Sequence, residues 1–230
     1  LYHNKIYDGA LLSFIPRDRI NQLFSGYIRD EITLIPERLK LTLGTRLDHN
    51  DFTGLEVQPN GRLMWTPNEK NSIWLAISRA VRTPSRAEND VLFNYGTQGK
   101  PPFLTVLQLN GSPHFNSEKL LAYEAGYRYQ LAPQASIDIA AFYNDYSQLR
   151  DLTFDPRLGS FHAGIPSYFL LPIGLNNKAS GQTQGVEVSV DWQPHEKWRL
   201  QGNYSFLTMQ IHSESPFRSL DPTTGSADKI

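Results

Sequence analysis

Residues 121–131 alternate between apolar and polar side chains with a period of two. One face carries Leu121, Tyr123, Ala125, Tyr127, Tyr129 and Leu131, and the other carries Ala122, Glu124, Gly126, Arg128 and Gln130. Because successive side chains of a β-strand point to opposite sides of the sheet, the pattern predicts a strand with one apolar and one polar face. Its length matches the roughly 9–11 residues with which a tilted strand crosses a lipid bilayer.

The same alternation recurs in residues 39–48, 62–65, 135–144, 186–192 and 198–206. Residues 22–34 and 72–81 also have strand character, but the pattern does not show which of their faces is apolar. In the second of these segments, the outward side chains are either Ile73, Leu75 and Ile77 or Trp74, Ala76, Ser78 and Ala80. Together the segments predict about eight strands.

The connections between the predicted strands alternate in length. The short connections contain Pro36, Pro67, Pro133 and Pro194. The long segments, interpreted as loops, are residues 82–117, 151–181 and 212–230, with residues 50–54 as a short exception. Short periplasmic turns and long extracellular loops are typical of bacterial outer-membrane barrels. The predicted fold class is therefore an all-β, antiparallel, up-and-down transmembrane β-barrel segment.

All four tryptophans lie beside two of the short turns. Trp65 and Trp74 bracket one turn, and Trp192 and Trp198 bracket the other. The indole ring is apolar but carries a polar N–H group, and this combination favours the boundary between membrane and water. We therefore expect these four residues to form a membrane-interface group at the periplasmic rim.

Composition narrows the class of protein further. The 230 residues carry a net charge of −1 and no cysteine, so neither a basic nucleic-acid-binding surface nor a disulfide framework is expected. The mean hydropathy is −0.42, and no apolar run approaches the roughly 20 residues of a membrane-spanning helix. The chain starts at Leu1, which indicates a natural fragment or a trimmed form. No catalytic arrangement of residues is recognisable, so the protein is predicted not to be an enzyme.

A slice of a larger barrel is favoured over a closed eight-stranded one. Small barrels fill their interior with side chains, whereas the polar faces here repeatedly carry charges that suit a wide, wet or plugged lumen. The polar C-terminal residues also give no final strand to pair with the first. In isolation such a slice is expected to form an open, curved antiparallel sheet.

Four segments, in order along the chain, resemble TonB-dependent outer-membrane receptors. They are GYIRDEITLIPERLKLTLGTRLDHND (26–51), GRLMWTPNEKNSIWLAISRAVRTPSRAE (61–88), NGSPHFNSEKLLAYEAGYRYQ (110–130) and TQGVEVSVDWQPHEKWRLQGNYSFL (183–207). One departure is Arg29, where the family more often has glutamine before Asp-Glu.

This resemblance implies a 22-stranded barrel occluded by a plug domain, in the outer membrane of a Gram-negative bacterium. It implies import of a scarce nutrient, most often a ferric siderophore, with energy supplied through TonB. Residues 1–230 would be a central part of one barrel domain, with the plug domain, the TonB-contacting region and the C-terminal strands outside the chain. The expected partners are outer-membrane lipid, the protein's own plug domain, TonB and a ferric chelate, and no cofactor is implied. A passive porin and a soluble β-sheet binding module remain as alternatives.

Two sets of residues are candidates for function. The predicted lumen-facing charges are Arg46, Arg62, Glu124, Arg128, Asp138 and Glu187, since ionisable residues at membrane depth avoid lipid. The candidate substrate contacts are aromatic and basic residues of the predicted loops, which suit an anionic, ring-bearing chelate: Arg82, Arg86, Tyr95, Phe103, His114, Phe161, His162 and Tyr168. Generic lumen polarity and packing between loops are the competing interpretations. No histidines show the spacing of a metal site.

Overall fold

The computed structural model describes residues 2–5, 9, 11–100, 104–164, 166–213 and 215, with the backbone alone for residues 2–5 and 156. These residues form fourteen strands, one short α-helix and one 3-10 turn at Pro156–Leu158. The helix is α1 (Arg86–Asp90). The strands are β1 (Tyr2–Lys5), β2 (Leu12–Phe14), β3 (Asp18–Asn21), β4 (Leu23–Ile35), β5 (Leu39–Asn50), β6 (Gly54–Asn68), β7 (Asn71–Arg82), β8 (Val91–Gln98), β9 (Leu104–Asn110), β10 (Glu118–Ala132), β11 (Ala135–Phe154), β12 (Ser160–His162), β13 (Tyr168–His195) and β14 (Trp198–His212).

Each predicted strand overlaps one of the long strands, which are β4 to β7, β10, β11, β13 and β14. The remaining strands are short, and several lie where loops were expected. Strands β8 and β9 occupy much of residues 82–117, and β13 begins at Tyr168, inside the segment 151–181. The interpretation of these parts as loops was therefore wrong. A register shift between Asn94 and Gly96 interrupts the period of two in β8, which hides the strand in the sequence.

The short turns are confirmed at the predicted places. Two residues connect β6 to β7, β10 to β11 and β13 to β14, and three connect β4 to β5. Pro67 and Pro194 lie within the last residues of β6 and β13, where the strand register shifts. A proline is tolerated there because a bulged residue need not donate a ladder hydrogen bond.

Twelve of the described strands form a mostly antiparallel sheet that does not close, and β1 and β3 pair with each other in a separate two-stranded sheet. The order of the larger sheet is β2-β8-β9-β13-β11-β10-β7-β6-β5-β4, with β12 and β14 pairing β13 from off this path. The first part of β13 pairs β9 in parallel, whereas residues 180–195 pair β14 in antiparallel fashion. The result is an open, curled half-barrel, and the expected open sheet is confirmed.

Strand register shows which residues share a face, because directly opposed residues project to the same side of a sheet. One row across seven strands consists of Leu41, Leu63, Leu75, Ala125, Ala141, Val186 and Phe206. This row settles the ambiguous strand β7, since Ile73, Leu75 and Ile77 lie on the apolar face. In β4 the apolar face carries Ile28 and Ile32.

The apolar face is open to the surroundings. Leu75 is 52% exposed and Phe206 is 54% exposed, although both lie in the middle of long strands. Monomeric soluble proteins rarely leave so large a continuous apolar surface uncovered. The described residues include no helix of the length and apolarity needed to span a membrane.

The small hydrophobic core lies around α1, beyond the end of β7. It consists of buried Val91, Phe115 and Leu175, with Phe14, Phe93, Leu109 and Leu152 packed against it. These residues come from β2, β8, β9, β11, β13 and the segment that follows β9. Much of segment 82–117, interpreted as a loop, is therefore folded and contributes two strands to the sheet.

Candidate functional site

The charges predicted to face the lumen all lie on the polar face of the sheet. A row of directly opposed residues on this face consists of Thr42, Arg62, Ala76, Glu124, Phe142 and Gly185. Arg46, Arg128 and Glu187 lie an even number of residues from members of this row, and Arg128 pairs directly with Asp138. The two charges of that pair are 2.6 Å apart. The six candidates thus share one side of the sheet.

Trp74 lies on the polar face, which corrects its placement in the membrane-interface group. It is directly opposite Gly126, and the Arg62 guanidinium lies 4.8 Å from the centre of its ring. Trp65, Trp192 and Trp198 instead share the apolar face and are 45%, 49% and 66% exposed. All four remain at the short-turn end of the sheet, but three of them share the exposed apolar surface.

Glycines explain why large aromatic rings fit on the polar face. A Cβ atom on Gly126 would overlap the Trp74 indole, and one on Gly185 would lie 2.7 Å from the Phe142 ring and closer still to the Phe206 carbonyl oxygen. Each ring therefore covers a glycine of the neighbouring strand, in the space that a side chain would otherwise fill. This also accounts for Phe142, the one large apolar residue in an otherwise polar row.

Arg82 does not stand free at the end of β7, because it joins several elements. Its Nε donates to Glu118 at 2.7 Å, and its Nη1 donates to Glu88 in α1 at 3.2 Å. Glu88 also accepts from the Ser85 backbone N–H at 2.8 Å, which caps the helix. Burial raises the pKa of Glu88, but these donors outweigh it and lower the pKa below its ordinary range.

Arg86 is buried, with 7% exposure, so its predicted role as a ligand contact is corrected. It pairs with Asp90 at 3.1 Å and donates to the backbone carbonyls of Pro16 and Arg17. Its guanidinium also lies over the Phe14 ring, 5.2 Å from the centroid. The side chain thus holds the N-terminal strands against α1 and presents no surface to a ligand in this conformation.

The exposed candidates lie on or near the short strands. His162 stacks on Tyr168 with 4.8 Å between ring centroids and an interplanar angle of 7°. Phe161 projects from the opposite face of β12 and is 66% exposed. Tyr95, 62% exposed, meets Phe93 edge to face, and His114 is exposed after β9. The structure therefore brings His162 and Tyr168 together and places Phe161 on the other side of their strands.

Phe103 lies outside the residues that the structure describes. Within the described ranges, no group of three or more histidine, aspartate or glutamate side chains is placed to hold a metal ion.

Residues 3–228 match the family described as TonB dependent receptor-like, beta-barrel. The chain belongs to the TonB-dependent receptor family. One similar curated protein is the iron-regulated outer membrane virulence protein of Vibrio cholerae, which is 23% identical to this chain over 194 residues. That stretch is 84% of this chain and 28% of the relative, so the chain spans little more than a quarter of the curated protein's length.

Solved receptors share the fold. A ferric enterobactin receptor mutant from Pseudomonas aeruginosa superposes with a TM-score of 0.72 at 22% identity, over 83% of this chain and 27% of that one. The siderophore receptor PirA from Acinetobacter baumannii gives a TM-score of 0.66 at 18% identity, over 81% of this chain and 27% of that one. This TonB-dependent receptor chain is therefore a protein of the Gram-negative outer membrane. The alternative of a soluble β-sheet binding module is wrong. Its family is one of receptors, not enzymes.

Proposed function

We propose that the protein is an outer-membrane receptor that imports a ferric siderophore with energy supplied through TonB. The family match over residues 3–228 carries this proposal. The exposed apolar face fits contact with outer-membrane lipid, and the charged face fits a polar lumen occupied by a plug domain. The names of the relatives support an iron chelate as substrate, since one is called iron-regulated and others are called a ferric enterobactin receptor and a siderophore receptor.

Growth under iron limitation tests this function. A strain with the intact gene and a strain with the gene deleted are grown on ferric tris-catecholate, ferric hydroxamate or haem as the sole iron source. We expect at least one ferric chelate to support growth only when the gene is present and the proton gradient is intact. Equal growth of both strains on every chelate would contradict the proposal. Uptake that persists after the gradient is dissipated would favour a passive porin.

The exposed rings of Phe161 and His162 in β12 and the half-buried ring of Tyr168, the first residue of β13, are proposed as ligand contacts, together with Tyr95 and His114. Aromatic stacking of a chelate on such rings would contribute about 0.5–1.5 kcal/mol. Because Phe161 and His162 project from opposite faces of β12, a bound chelate can reach only one of them. Comparing the two residues therefore identifies the face that meets the ligand.

We expect one of the variants Phe161→Ala and His162→Ala to raise the apparent KM for iron uptake about three- to tenfold. The maximal rate should stay unchanged because the transport path below is intact. His195→Ala is the matched control, since His195 lies at the short-turn end of β13. The measurement is the initial rate of radiolabelled iron uptake against chelate concentration. If neither variant changes the KM, this surface does not bind the chelate.

A further inference from the structure

The guanidinium of Arg82 lies where β7, β10, β11 and α1 meet. It ends β7 and donates to Glu118, the first residue of β10, and to Glu88 in α1. The other carboxylate oxygen of Glu118 accepts from the Arg150 backbone N–H in β11 at 2.9 Å. Glu88 and Glu118 are 5% and 17% exposed at their side chains. One side chain thus fixes the helix to the wall formed by three long strands.

Helix α1 is the base of the β8–β9 hairpin. Strand β8 begins at Val91, directly after the last residue of α1. The chain leaving β9, the second strand of the hairpin, returns to the same helix. The Ser112 N–H donates to the Glu88 carbonyl at 2.9 Å, and the Gly111 N–H donates to the Val91 carbonyl at 2.7 Å. The hairpin is therefore attached to α1 at both of its ends.

Gly111 makes this attachment possible. A Cβ atom at this position would lie 2.8–2.9 Å from backbone atoms of Asn89 and Asp90, closer than real side chains come. Backbone atoms, unlike the end of a flexible side chain, cannot move aside cheaply. An alanine at position 111 would therefore push the returning chain away from α1.

The hairpin in turn forms one side of the proposed ligand surface. It carries exposed Tyr95, and β9 pairs in parallel with the first part of β13, where Leu104 is opposite Tyr168. A displacement of α1 would shift Tyr95 and loosen the pairing beside Tyr168. The position of the helix therefore decides how these rings are arranged relative to each other.

We propose that Arg82 is a positioning residue for ligand capture, which holds the β8–β9 hairpin in place without contacting the ligand. This rests on the proposed function. The fork of the guanidinium is directed at Glu88 and Glu118, and it lies closer to Glu88 than the second cation, Arg150, whose Nη1 is 3.9 Å from that carboxylate. Removing Arg82 takes the nearer cation away from two largely buried carboxylates, which favours separation of α1 from the wall. A lysine retains the charge but cannot reproduce the planar fork, so it should restore the contact only in part.

Distances between two spin labels test the proposal in the protein as the cell assembles it in the outer membrane. Since the chain has no cysteine, labels are attached at Thr97→Cys in β8 and at Ser147→Cys in β11. We expect a narrow distance distribution in the parent protein and a clearly broader one after Arg82→Gln, with Arg82→Lys between them. Gly111→Ala should broaden it as well. Arg199→Gln is the matched control, because it breaks an exposed arginine–aspartate pair at the opposite end of the sheet.

Uptake of a ferric tris-catecholate is measured in the same variants. A hairpin that is correctly seated about a fifth of the time would raise the apparent KM about fivefold, with the maximal rate retained. A raised KM with an unchanged distance distribution would overturn the proposal and assign Arg82 to direct ligand contact. An unchanged distribution with an unchanged KM would also overturn it.

If Arg82→Gln fails to assemble, Glu118→Gln and Gly111→Ala replace it, and unchanged distances in both would overturn the proposal. If the parent protein imports no chelate, the proposed function fails while the distances still decide the positioning role.

Discussion

Arginine in place of Ile139 is expected to lower the free energy of unfolding by about 2–4 kcal/mol, the cost of a cation facing lipid at the bilayer midplane. Ile139 lies in the apolar row between Tyr127 and Val188, and it is 38% exposed. The charge can escape lipid there only by reaching past neighbouring side chains to a distant headgroup layer.

The same substitution at the next residue is the matched control. Ala140 projects to the polar face between Gly126 and Glu187. An arginine at position 140 can pair with Glu187 across the strands, so we expect a change within about 1 kcal/mol. Urea titration of the protein refolded in phospholipid vesicles measures both values. Equal losses for Ile139→Arg and Ala140→Arg would show that the assignment of lipid and lumen faces is wrong.

The sequence predicted the long strands well where one face was uniformly apolar. In β10 every second residue from Leu121 to Leu131 is apolar, so burial preference and strand geometry favour the same register. In β7 both faces are apolar, and only the pairing of Leu75 with Leu63 and Ala125 distinguishes them. The face that β7 turns to lipid is therefore decided by the residues paired with it on other strands. The sequence pattern within the segment itself does not contain that information.

Trp74 shows the same limit for a single residue. Its place near a turn correctly predicted the end of the sheet at which it lies, but the face depends on Gly126, more than fifty positions away along the chain. The polar face accepts the indole because that glycine leaves room for it. Register between strands had to be known before the glycine could be recognised as its partner.

The site was predicted less completely than the fold. Arg86 was interpreted as a loop cation available to a ligand, whereas it is buried in a helix that the loop interpretation missed. A signal for that helix was present, because Ser85 and Glu88 have the spacing of a capping box. Arg86 and Asp90 are also four residues apart, the spacing of an ion pair along a helix. The helix has only five residues, so its tertiary contacts, more than its intrinsic propensity, must stabilise it.

Valine in place of Gly126 is expected to destabilise the protein by about 1–3 kcal/mol, because its side chain would enter the space of the Trp74 indole. Gly202→Val is the matched control. Gly202 is also in a long strand, but no atom lies within 4 Å of a Cβ atom built there. Since β-branched residues are favoured in strands, Gly202→Val should be neutral within about 0.5 kcal/mol or slightly stabilising.

A double-mutant cycle isolates the contact between the ring and the glycine. In a Trp74→Ala background the indole is gone, so Gly126→Val no longer meets an obstacle and gains the favourable strand propensity of valine. We expect most of its cost to disappear, which corresponds to a coupling free energy of about 1–3 kcal/mol between the two positions. Urea titration in phospholipid vesicles again supplies the four free energies. If Gly126→Val costs the same with and without the indole, the ring does not occupy the space above the glycine, and Trp74 belongs instead with Trp65 on the apolar face.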